Sequence, residues 1–261
     1  MYLLTGRSYK NMVHFVGAGP GATDLITIRG KELIEQADVI IYAGSLVNPK
    51  LCEYAKKGCA VYDSSKLNLT EVIEIMKDSR DKEIVRLHTG DPSIYGAVRE
   101  QMDELEKLNI PYNVTPGVSS FCAAAASLNL EYTLPGISQS VIITRMDGRT
   151  PVPYKESVEA LSEHGSTMVF FLSAGDVPRL SERLIDAGRD RHTPCAIVYK
   201  SSWDDEEKFV CDLESLPYVA AKNGIDRTAL IIVGDVIGNT VYDRSKLYDP
   251  EFTTMFRKGS R

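Results

Sequence analysis

The chain has 261 residues, 43% of them hydrophobic and 25% charged, so it is long enough to bury one large core or two ordinary ones. This composition excludes a disordered tail, a collagen-like fibre and a small disulfide-stapled scaffold. With 36 acidic residues against 30 Lys and Arg, the net charge is -6, which disfavours nucleic acid and anionic lipid as main partners. The apolar stretches are shorter than the about 20 residues that cross a bilayer. Residues 1–11 have no apolar run long enough for a secretory signal.

Cysteine and histidine positions give no sign of a metal site. The five cysteines form no Cys-x-x-Cys pair, and none of the four histidines stands at zinc-finger spacing. Unpaired cysteines of this kind are typical of a reducing cytoplasm, and a lone histidine is more often a packed or surface residue than a ligand. The sequence therefore predicts a cytoplasmic protein without a metal of its own.

In the first half of the chain, apolar β-rich runs alternate with helix-period segments, the pattern of a parallel sheet with crossover helices. The predicted strands are 13–16, 39–42, 60–62, 83–87 and 112–114, and the predicted helices are 24–36, 71–78 and 98–108. Thr23 is the expected N-cap of the first helix, and Asn68 with Glu71 gives the second a capping-box start. A first α/β domain is therefore expected over residues 12–115.

The pattern then begins again and predicts a second α/β domain over residues 116–243, followed by a tail over 244–261. A helix around 119–127 precedes strands at 141–144, 168–172, 196–199 and 229–233. The run 207–213 alternates polar and apolar residues, typical of an antiparallel strand with one wet face, so the second sheet is expected to be mixed. The tail combines basic residues with Tyr248, Phe252 and Phe256, and composition leaves open whether it is solvated or folded over a neighbouring surface.

The first strand runs into Gly17-Ala18-Gly19-Pro20-Gly21-Ala22, a turn in which backbone can approach a ligand without a Cβ in the way. A dinucleotide-binding fold needs an acid at the end of the second strand, but that strand ends Tyr42-Ala43-Gly44. Pro20 also removes an amide that would otherwise point at a pyrophosphate. By itself this turn fits either packing or ligand contact, and it disfavours a nicotinamide cofactor.

Two further glycine-containing loops follow predicted strands. The loop 88–96 (HTGDPSIYG) stands at a strand's carboxyl end, where ligands bind in α/β sheets, and Asp91 suits helix capping and ligand contact equally. The segment 115–126 leads into a helix whose first turn offers free amides beside the hydroxyls of Ser119 and Ser120. Its alanine run is also explained by close helix packing. Basic and aromatic residues recur in 144–153, in 199–203 and in the tail, and fixed guanidinium groups suit ligands that carry carboxylates.

The order of these three loops resembles the tetrapyrrole (uroporphyrinogen and precorrin) methyltransferase family, whose members use S-adenosylmethionine. The segment 149–153 and the tail motifs 244–249 and 256–259 resemble the branch that methylates C11 of precorrin-4 or cobalt-precorrin-4. The similarity extends over almost all of residues 13–258. It implies two α/β domains, each with a five-stranded mostly parallel or mixed sheet. It also implies S-adenosylmethionine in a cleft between them, a tetrapyrrole substrate and a homodimer.

The resemblance also implies site residues, carried over position by position. The implied cofactor contacts are Pro20, Thr89, Gly90, Asp91, Ile94, Ser119, Ser120, Leu172, Tyr199 and Ser201. Arg145 and Arg149 are the expected clamps for substrate carboxylates. Relatives carry an acid with a proton-handling role just after the second strand, whereas this chain has Ala43-Gly44-Ser45 there. Either the base lies elsewhere, with Asp63 and Lys66 as candidates, or the reaction needs no protein base.

Several hypotheses stay open beside this one. A sibling of the same fold could methylate another tetrapyrrole carbon, ribosomal RNA ribose or a protein histidine derivative, and the negative charge and the motifs at 149–153 and in the tail argue against the last two. A nicotinamide oxidoreductase would explain the first glycine turn, but the missing acid disfavours it. A protein that binds S-adenosylmethionine or a tetrapyrrole without catalysis would show binding and no turnover.

Overall fold

The computed structural model describes residues 12–238 and 241–260. The chain folds into two compact units. The first contains the described residues up to Ala123 together with Ser201–Asp205, and the second contains Ala124–Lys200 and the residues from Glu206 onward. Residues 1–11, expected to hold no secretory signal, and Arg261 of the basic tail lie outside the described residues. No helix in the described ranges is long and apolar enough to cross a membrane.

The first unit is built on a five-stranded parallel sheet in the order β3-β2-β4-β1-β5. Its strands are β1 (Val13–Gly17), β2 (Val39–Tyr42), β3 (Ala60–Asp63), β4 (Ile84–His88) and β5 (Tyr112–Thr115), and its helices are α1 (Ile28–Gln36), α2 (Leu69–Asp78) and α3 (Arg99–Lys107). A fourth helix, α4 (Ser120–Ser127), begins in this unit. Phe15 and Ile41 belong to an apolar cluster on one face, and Val16 and Ile40 to a second cluster. Apolar side chains on both faces are typical of a parallel sheet.

Helix starts in this unit follow their capping residues. Asn68 and Glu71 form the predicted capping box, with Glu71 N–H donating to Asn68 Oδ1 at 3.1 Å and Asn68 N–H donating to Glu71 Oε2 at 2.7 Å. The predicted start of the first helix was wrong. Thr23 begins a single 3-10 turn, and α1 starts only after Thr27, whose side chain accepts a hydrogen bond from Gly30 N–H at 3.1 Å. The backbone of Thr27 is extended, so the two helical segments do not join.

The second unit has a five-stranded mixed sheet in the order β6-β7-β10-β8-β9. Its strands are β6 (Val141–Arg145), β7 (Thr167–Phe171), β8 (Pro194–Tyr199), β9 (Glu207–Asp212) and β10 (Ala229–Val233), and its helices are α5 (Val158–Ser162), α6 (Val177–Asp186) and α7 (Leu216–Lys222). Strand β9 is antiparallel to β8, which confirms the prediction from its alternating pattern. Two units with five-stranded sheets, one parallel and one mixed, confirm the predicted α/β fold class.

The described part of the tail is held together by its own hydrogen bonds. Arg257 Nη2 donates to the carbonyl oxygens of Leu247 at 3.0 Å and Asp249 at 2.5 Å. Its large side chains nevertheless face outward, since Tyr248 is 80% exposed and Phe256 95% exposed. Within this chain the tail is therefore a compact segment whose aromatic residues are solvated.

Candidate functional site

The three glycine-containing loops follow three neighbouring strands. Strands β4, β1 and β5 lie side by side, with Gly17 opposite His88 and Val16 opposite Thr115. Because these strands are parallel, their carboxyl ends share one edge of the sheet, which is where ligands bind in open α/β folds. The first glycine turn (17–22), the second loop (88–96) and the third loop (115–120) therefore meet at this edge.

The backbones of the three loops touch one another. Gly19 and Gly90 form an antiparallel bridge, with Gly90 N–H donating to Gly19 O at 2.8 Å. A Cβ at Gly17 would lie 2.5 Å from Gly117 Cα, and a Cβ at Gly117 would lie 2.2 Å from Gly90 O. Real Cβ atoms do not approach backbone so closely. Gly17 and Gly117 are thus required for the contact between the loops, whether or not they also contact a ligand.

Asp91 ties the second loop to the third. Its Oδ2 accepts a hydrogen bond from Gly117 N–H at 2.8 Å, and its Oδ1 accepts one from Ser93 N–H at 2.9 Å. Burial disfavours the charged carboxylate, but the hydrogen bonds from Ser93 and Gly117 outweigh it and keep the pKa of Asp91 below its usual value. Asp91 does not cap an α-helix, since the next one, α3, begins only at Arg99. Its carboxylate is an ionised brace between two loops.

The remaining predicted contacts of the first unit line the same three loops. Thr89 Oγ1 donates to the carbonyl of Leu46 at 3.2 Å, and Ile94 N–H donates to Asp91 O at 3.2 Å. Ser119 is buried just before α4, and Ser120 is the first residue of that helix. These positions present mainly backbone groups and short polar side chains.

A fourth segment reaches the first glycine turn from far along the sequence. We call Ser201–Asp205, which belongs to the first unit, the Trp203 segment. Trp203 Nε1 donates to Pro20 O at 3.1 Å, and Ala22 N–H donates to Ser202 Oγ at 3.0 Å. These two contacts join residues that lie 183 and 180 positions apart in the sequence. The glycine turn is therefore contacted by a segment that is distant from it in the sequence.

The hydroxyl of Ser201 lacks a partner within the described residues. Ser201 is only 5% exposed, and its Oγ has no hydrogen bond in the part of the chain that the structure describes. A buried hydroxyl without a hydrogen bond costs free energy, which a ligand that bonds to it would recover. Of the predicted cofactor contacts, Ser201 therefore carries a specific indication of a missing polar partner.

Arg86 and His88 are buried on β4, beneath the second loop. The Arg86 guanidinium donates to Gln101 Oε1 at 3.1 Å and to the carbonyl of Ile41 at 3.3 Å, and it forms no ion pair with a described carboxylate. Burial lowers the pKa of Arg86 to about 10, so it stays charged at neutral pH. Burial and the charge of Arg86 lower the pKa of His88 to about 3. His88 is therefore neutral and unsuited to shuttling protons at pH 7.

The candidate base Asp63 ends β3 and is engaged locally. Its Oδ1 accepts hydrogen bonds from Ser65 Oγ at 2.7 Å and Ser65 N–H at 2.9 Å, and these bonds hold the pKa of Asp63 below its usual value. Lys66 Nζ lies 3.7 Å from Asp63 Oδ2. A Cβ at Gly44 would lie 2.0 Å from Asp63 Oδ1, so this carboxylate rests against the turn that follows β2. The interactions favour an ionised carboxylate that supports the turn.

Strands β6, β7 and β8 of the second unit end at one edge of its sheet. Strand β6 is parallel to β7, and both β7 and β8 are antiparallel to β10. This arrangement places Arg145, Leu172 and Tyr199 at the same edge. Leu172, just after β7, has a left-handed backbone with φ of 52° and is 72% exposed. A large apolar side chain held exposed by an unfavourable backbone conformation is typical of a ligand contact.

The two arginines predicted as clamps differ in their surroundings. Arg145 Nη1 donates to Thr150 O at 3.0 Å, and its Nη2 donates to Pro151 O at 3.0 Å, which shapes the arginine loop (145–151). Arg149 is exposed at the tip of that loop and has no hydrogen bond or ion pair in the described part of the chain. Arg145 thus builds the loop, and Arg149 keeps its donors available.

The structure thus distributes the predicted site residues over both units. The first unit holds Pro20, Thr89, Gly90, Asp91, Ile94, Ser119, Ser120 and Ser201, together with Asp63 and Lys66. The second holds Leu172, Tyr199, Arg145 and Arg149. Sequence reasoning grouped Ser202 and Trp203 with the basic and aromatic segment 199–203 but predicted no contact between them and the first glycine turn. The available signal was that Trp203, the single tryptophan of the chain, stands two residues after the predicted site residue Ser201.

Comparison with known proteins decides the family. The model of the tetrapyrrole (corrin/porphyrin) methylases matches residues 12–217. The chain belongs to this family. The predicted membership is therefore confirmed. A cobalt-precorrin-4 C(11)-methyltransferase of Methanocaldococcus jannaschii is 52% identical over 251 residues, which cover 95% of this chain and 97% of that protein.

Solved structures agree with this assignment. The X-ray structure of a cobalamin biosynthetic enzyme, cobalt precorrin-4 methyltransferase, has a TM-score of 0.86 and 39% identity, covering 90% of this chain and 99% of the other. Uroporphyrin-III C-methyltransferase of Thermus thermophilus, complexed with S-adenyl homocysteine, has a TM-score of 0.73 and 26% identity, covering 86% and 98%. The fold and nearly the whole length of the chain are thus shared with tetrapyrrole methyltransferases.

Proposed function

We propose that the chain is an S-adenosylmethionine-dependent methyltransferase that methylates C11 of cobalt-precorrin-4 or precorrin-4 during cobalamin biosynthesis. The observation that carries the proposal is the meeting of three backbone-lined loops at Gly17, Gly90 and Gly117. It occurs in a chain with 52% identity to a protein named for this reaction. The alternatives differ mainly in which tetrapyrrole carbon is methylated, or in whether there is turnover at all.

S-adenosylmethionine fits the residues present. The loops offer backbone amides and carbonyls, and Ser201 offers a buried hydroxyl that lacks a described partner. Asp91 holds the second and third loops at a fixed separation before the cofactor binds. The cofactor contacts are assigned to Pro20, Thr89, Gly90, Asp91, Ile94, Ser119, Ser120 and Ser201, with Leu172 and Tyr199 contributed by the second unit.

The bound cofactor supplies an electrophilic methyl group on a sulfonium. When bound, the cofactor would donate this methyl group to a carbon of the tetrapyrrole and leave as S-adenosylhomocysteine, so no new charge would be created and a strong oxyanion hole would not be required. The protein's work is to hold the methyl group and the ring carbon about 3 to 3.5 Å apart and to exclude water. Rigid loops that meet through backbone contacts are suited to this positioning task.

Substrate carboxylates are assigned to the arginine loop. Arg149 is exposed and has no described partner, so its guanidinium can bind two carboxylate oxygens at once. The Arg145 guanidinium donates to the carbonyl oxygens of Thr150 and Pro151, so its main effect is to hold the loop that presents Arg149. The position of attack on the ring would then follow from where the carboxylates are held.

No protein base is assigned. Asp63 accepts two hydrogen bonds from Ser65 and has a lowered pKa, which makes it a weak proton acceptor. Lys66 faces Asp63 rather than a separate site. His88 is buried and its pKa is lowered to about 3, so it too is a weak proton acceptor.

The assembly and compartment are part of the same proposal. The chain is expected to work as a homodimer in the cytoplasm, where its five free thiols would stay reduced. Light scattering coupled to size-exclusion chromatography tests the homodimer. A monomer at micromolar concentration would contradict the homodimer.

Methyl transfer under anaerobic conditions tests the proposed reaction. The protein is incubated with cobalt-precorrin-4 and S-adenosylmethionine labelled in its methyl group, and the product is examined by mass spectrometry and NMR. One labelled methyl at C11 is expected. Label at another ring carbon would instead support a sibling activity, and binding without transfer would support a non-catalytic protein.

A further inference from the structure

Trp203 packs directly on the first glycine turn. Its indole N–H donates to Pro20 O at 3.1 Å, and its ring lies so close to Gly21 that a Cβ there would be 2.1 Å from Trp203 Cδ1. The amide on the other side of Gly21, that of Ala22, donates to Ser202 Oγ at 3.0 Å. One short segment thus contacts the turn at consecutive residues, and Asn48 Nδ2 also donates to Gly21 O at 3.0 Å.

The Trp203 segment is itself in a costly conformation. Ser202 has a left-handed backbone with φ of 68°, although it is not a glycine. Such a conformation is unfavourable for a residue other than glycine and persists only where surrounding contacts enforce it. Lys50 Nζ lies 3.2 Å from Asp204 Oδ2, and this exposed pair contributes little. The contacts of Trp203 and Ser202 with the glycine turn are among those that enforce this geometry.

The glycine turn depends on contacts with other segments to keep a fixed conformation. Residues 18–22 contain no helix or strand, and Pro20 has no N–H to donate. A loop that is ordered only when its ligand binds lowers affinity by the cost of ordering it. A turn fixed in advance by Trp203 and Ser202 avoids that cost.

We propose that Trp203 is a positioning residue that holds the first glycine turn in the conformation that binds S-adenosylmethionine. The inference rests on the proposed function, because it takes the turn to be part of the cofactor site. Trp203 acts through Pro20 and Gly21 and is not assigned a contact with the reacting atoms. Its removal should weaken cofactor binding without altering the methyl-transfer step itself.

Calorimetric titration with S-adenosylhomocysteine tests the proposal. Trp203→Ala removes both the hydrogen bond and the ring and should weaken binding by about tenfold or more, whereas Trp203→Phe keeps most of the ring and should lose about threefold. Tyr218→Ala is the matched control, since Tyr218 is an aromatic residue 66% exposed on α7. In turnover, Trp203→Ala should raise KM for S-adenosylmethionine and leave kcat within about twofold.

A double-mutant cycle with Gly21 makes the test specific. Gly21→Ala adds a methyl group where the indole lies, so it should weaken binding in the wild-type background. In the Trp203→Ala background the space is open, and the same change should have little further effect. Additive effects of the two substitutions on binding would overturn the proposed coupling.

The outcomes separate this inference from the proposed function. If wild-type protein does not bind S-adenosylhomocysteine, the proposed cofactor site fails. If the wild type binds and folded Trp203→Ala and Trp203→Phe bind equally well, only the positioning role fails. Should Trp203→Ala not fold, the Phe variant and the Gly21→Ala variant decide the question. A thermal melting temperature measured on each variant distinguishes weakened binding from global destabilisation.

Discussion

The loops of the first unit and the arginine loop of the second are held in opposite ways. At Gly17 and Gly117, backbone packs on backbone with no room for a Cβ, and Gly90 between them has a left-handed φ of 58°. In the arginine loop, the side chain of Arg145 donates to the carbonyls of Thr150 and Pro151 and leaves the loop tip exposed. The first arrangement fixes the backbone of the loops and tolerates no larger residue at Gly17 or Gly117. The second presents the side chain of Arg149, which can be replaced without disturbing the loop. We infer that the first suits a cofactor of constant shape and the second a substrate recognised by its carboxylates.

The largest effect is expected from Gly117→Ala. The added Cβ would meet Gly90 O at 2.2 Å, so the third and second loops must separate. The free energy of unfolding should fall by about 3 kcal/mol, and binding of S-adenosylhomocysteine should be lost. Urea denaturation and calorimetry measure the two effects. Gly148→Ala is the control, because no atom lies within 4 Å of a Cβ at that position. If Gly117→Ala and Gly148→Ala had the same free energy of unfolding and the same affinity for S-adenosylhomocysteine, the contact between the loops would be contradicted.

The next largest effect concerns Asp91. Asp91→Ala leaves Gly117 N–H without its acceptor and should lower the free energy of unfolding by about 1 to 3 kcal/mol, with weaker cofactor binding. Because the pKa of Asp91 is lowered in the folded state, its contribution is present above the unfolded pKa of about 3.9 and is lost as pH falls through the folded value. Urea unfolding of wild type and Asp91→Asn from pH 7 to pH 3 should therefore converge at the acid end. A gap that stays constant with pH would show that the carboxylate charge is irrelevant.

A smaller, more selective effect is expected from Arg149. Arg149→Ala should raise KM for the tetrapyrrole by about tenfold and leave the melting temperature and cofactor affinity unchanged, because this side chain has no described partner to lose. Arg145→Ala should in addition lower the melting temperature, since it releases the carbonyls of Thr150 and Pro151. Steady-state kinetics with differential scanning fluorimetry separates the two. Identical profiles for both variants would remove the distinction between building the loop and binding the substrate.

The smallest effect is expected from Asp63→Asn. Asparagine keeps an acceptor for Ser65, and no proton transfer is assigned to this carboxylate, so kcat should change by less than about threefold. The variant is assayed from pH 6 to pH 9 beside the wild type. A hundredfold loss of kcat with normal stability would identify Asp63 as the base.

Local pattern predicted most of the strands, and the misses have two causes, an ambiguous helix start and a long-range contact. Strands 39–42 and 229–233 were predicted with the bounds that the structure has, because apolar runs between turn residues leave little ambiguity. The start of α1 was misplaced because Thr23 and Thr27 both have the chemistry of an N-cap. Nothing in the local sequence indicates that Trp203 lies on Pro20, since that contact spans 183 residues.

The candidate site also has parts that the sequence could predict and parts that it could not. The three glycine loops could be identified because each follows a strand and parallel strands end together. The partners of Arg145 and Asp63 could not be predicted from the sequence. Whether a charged side chain bonds to its own loop or to a ligand depends on differences of a few ångströms in its position. Ser201 was assigned from family resemblance alone, and its buried hydroxyl without a described partner now gives that assignment a physical reason.

A crystal structure with S-adenosylhomocysteine tests the central claim most directly. We predict ligand atoms within hydrogen-bond distance of the backbone at Gly90 and Asp91 and of Ser201 Oγ, with the Gly19–Gly90 bridge unchanged. Ligand bound elsewhere, with Ser201 Oγ still lacking a partner, would contradict the assignment of the glycine loops to the cofactor.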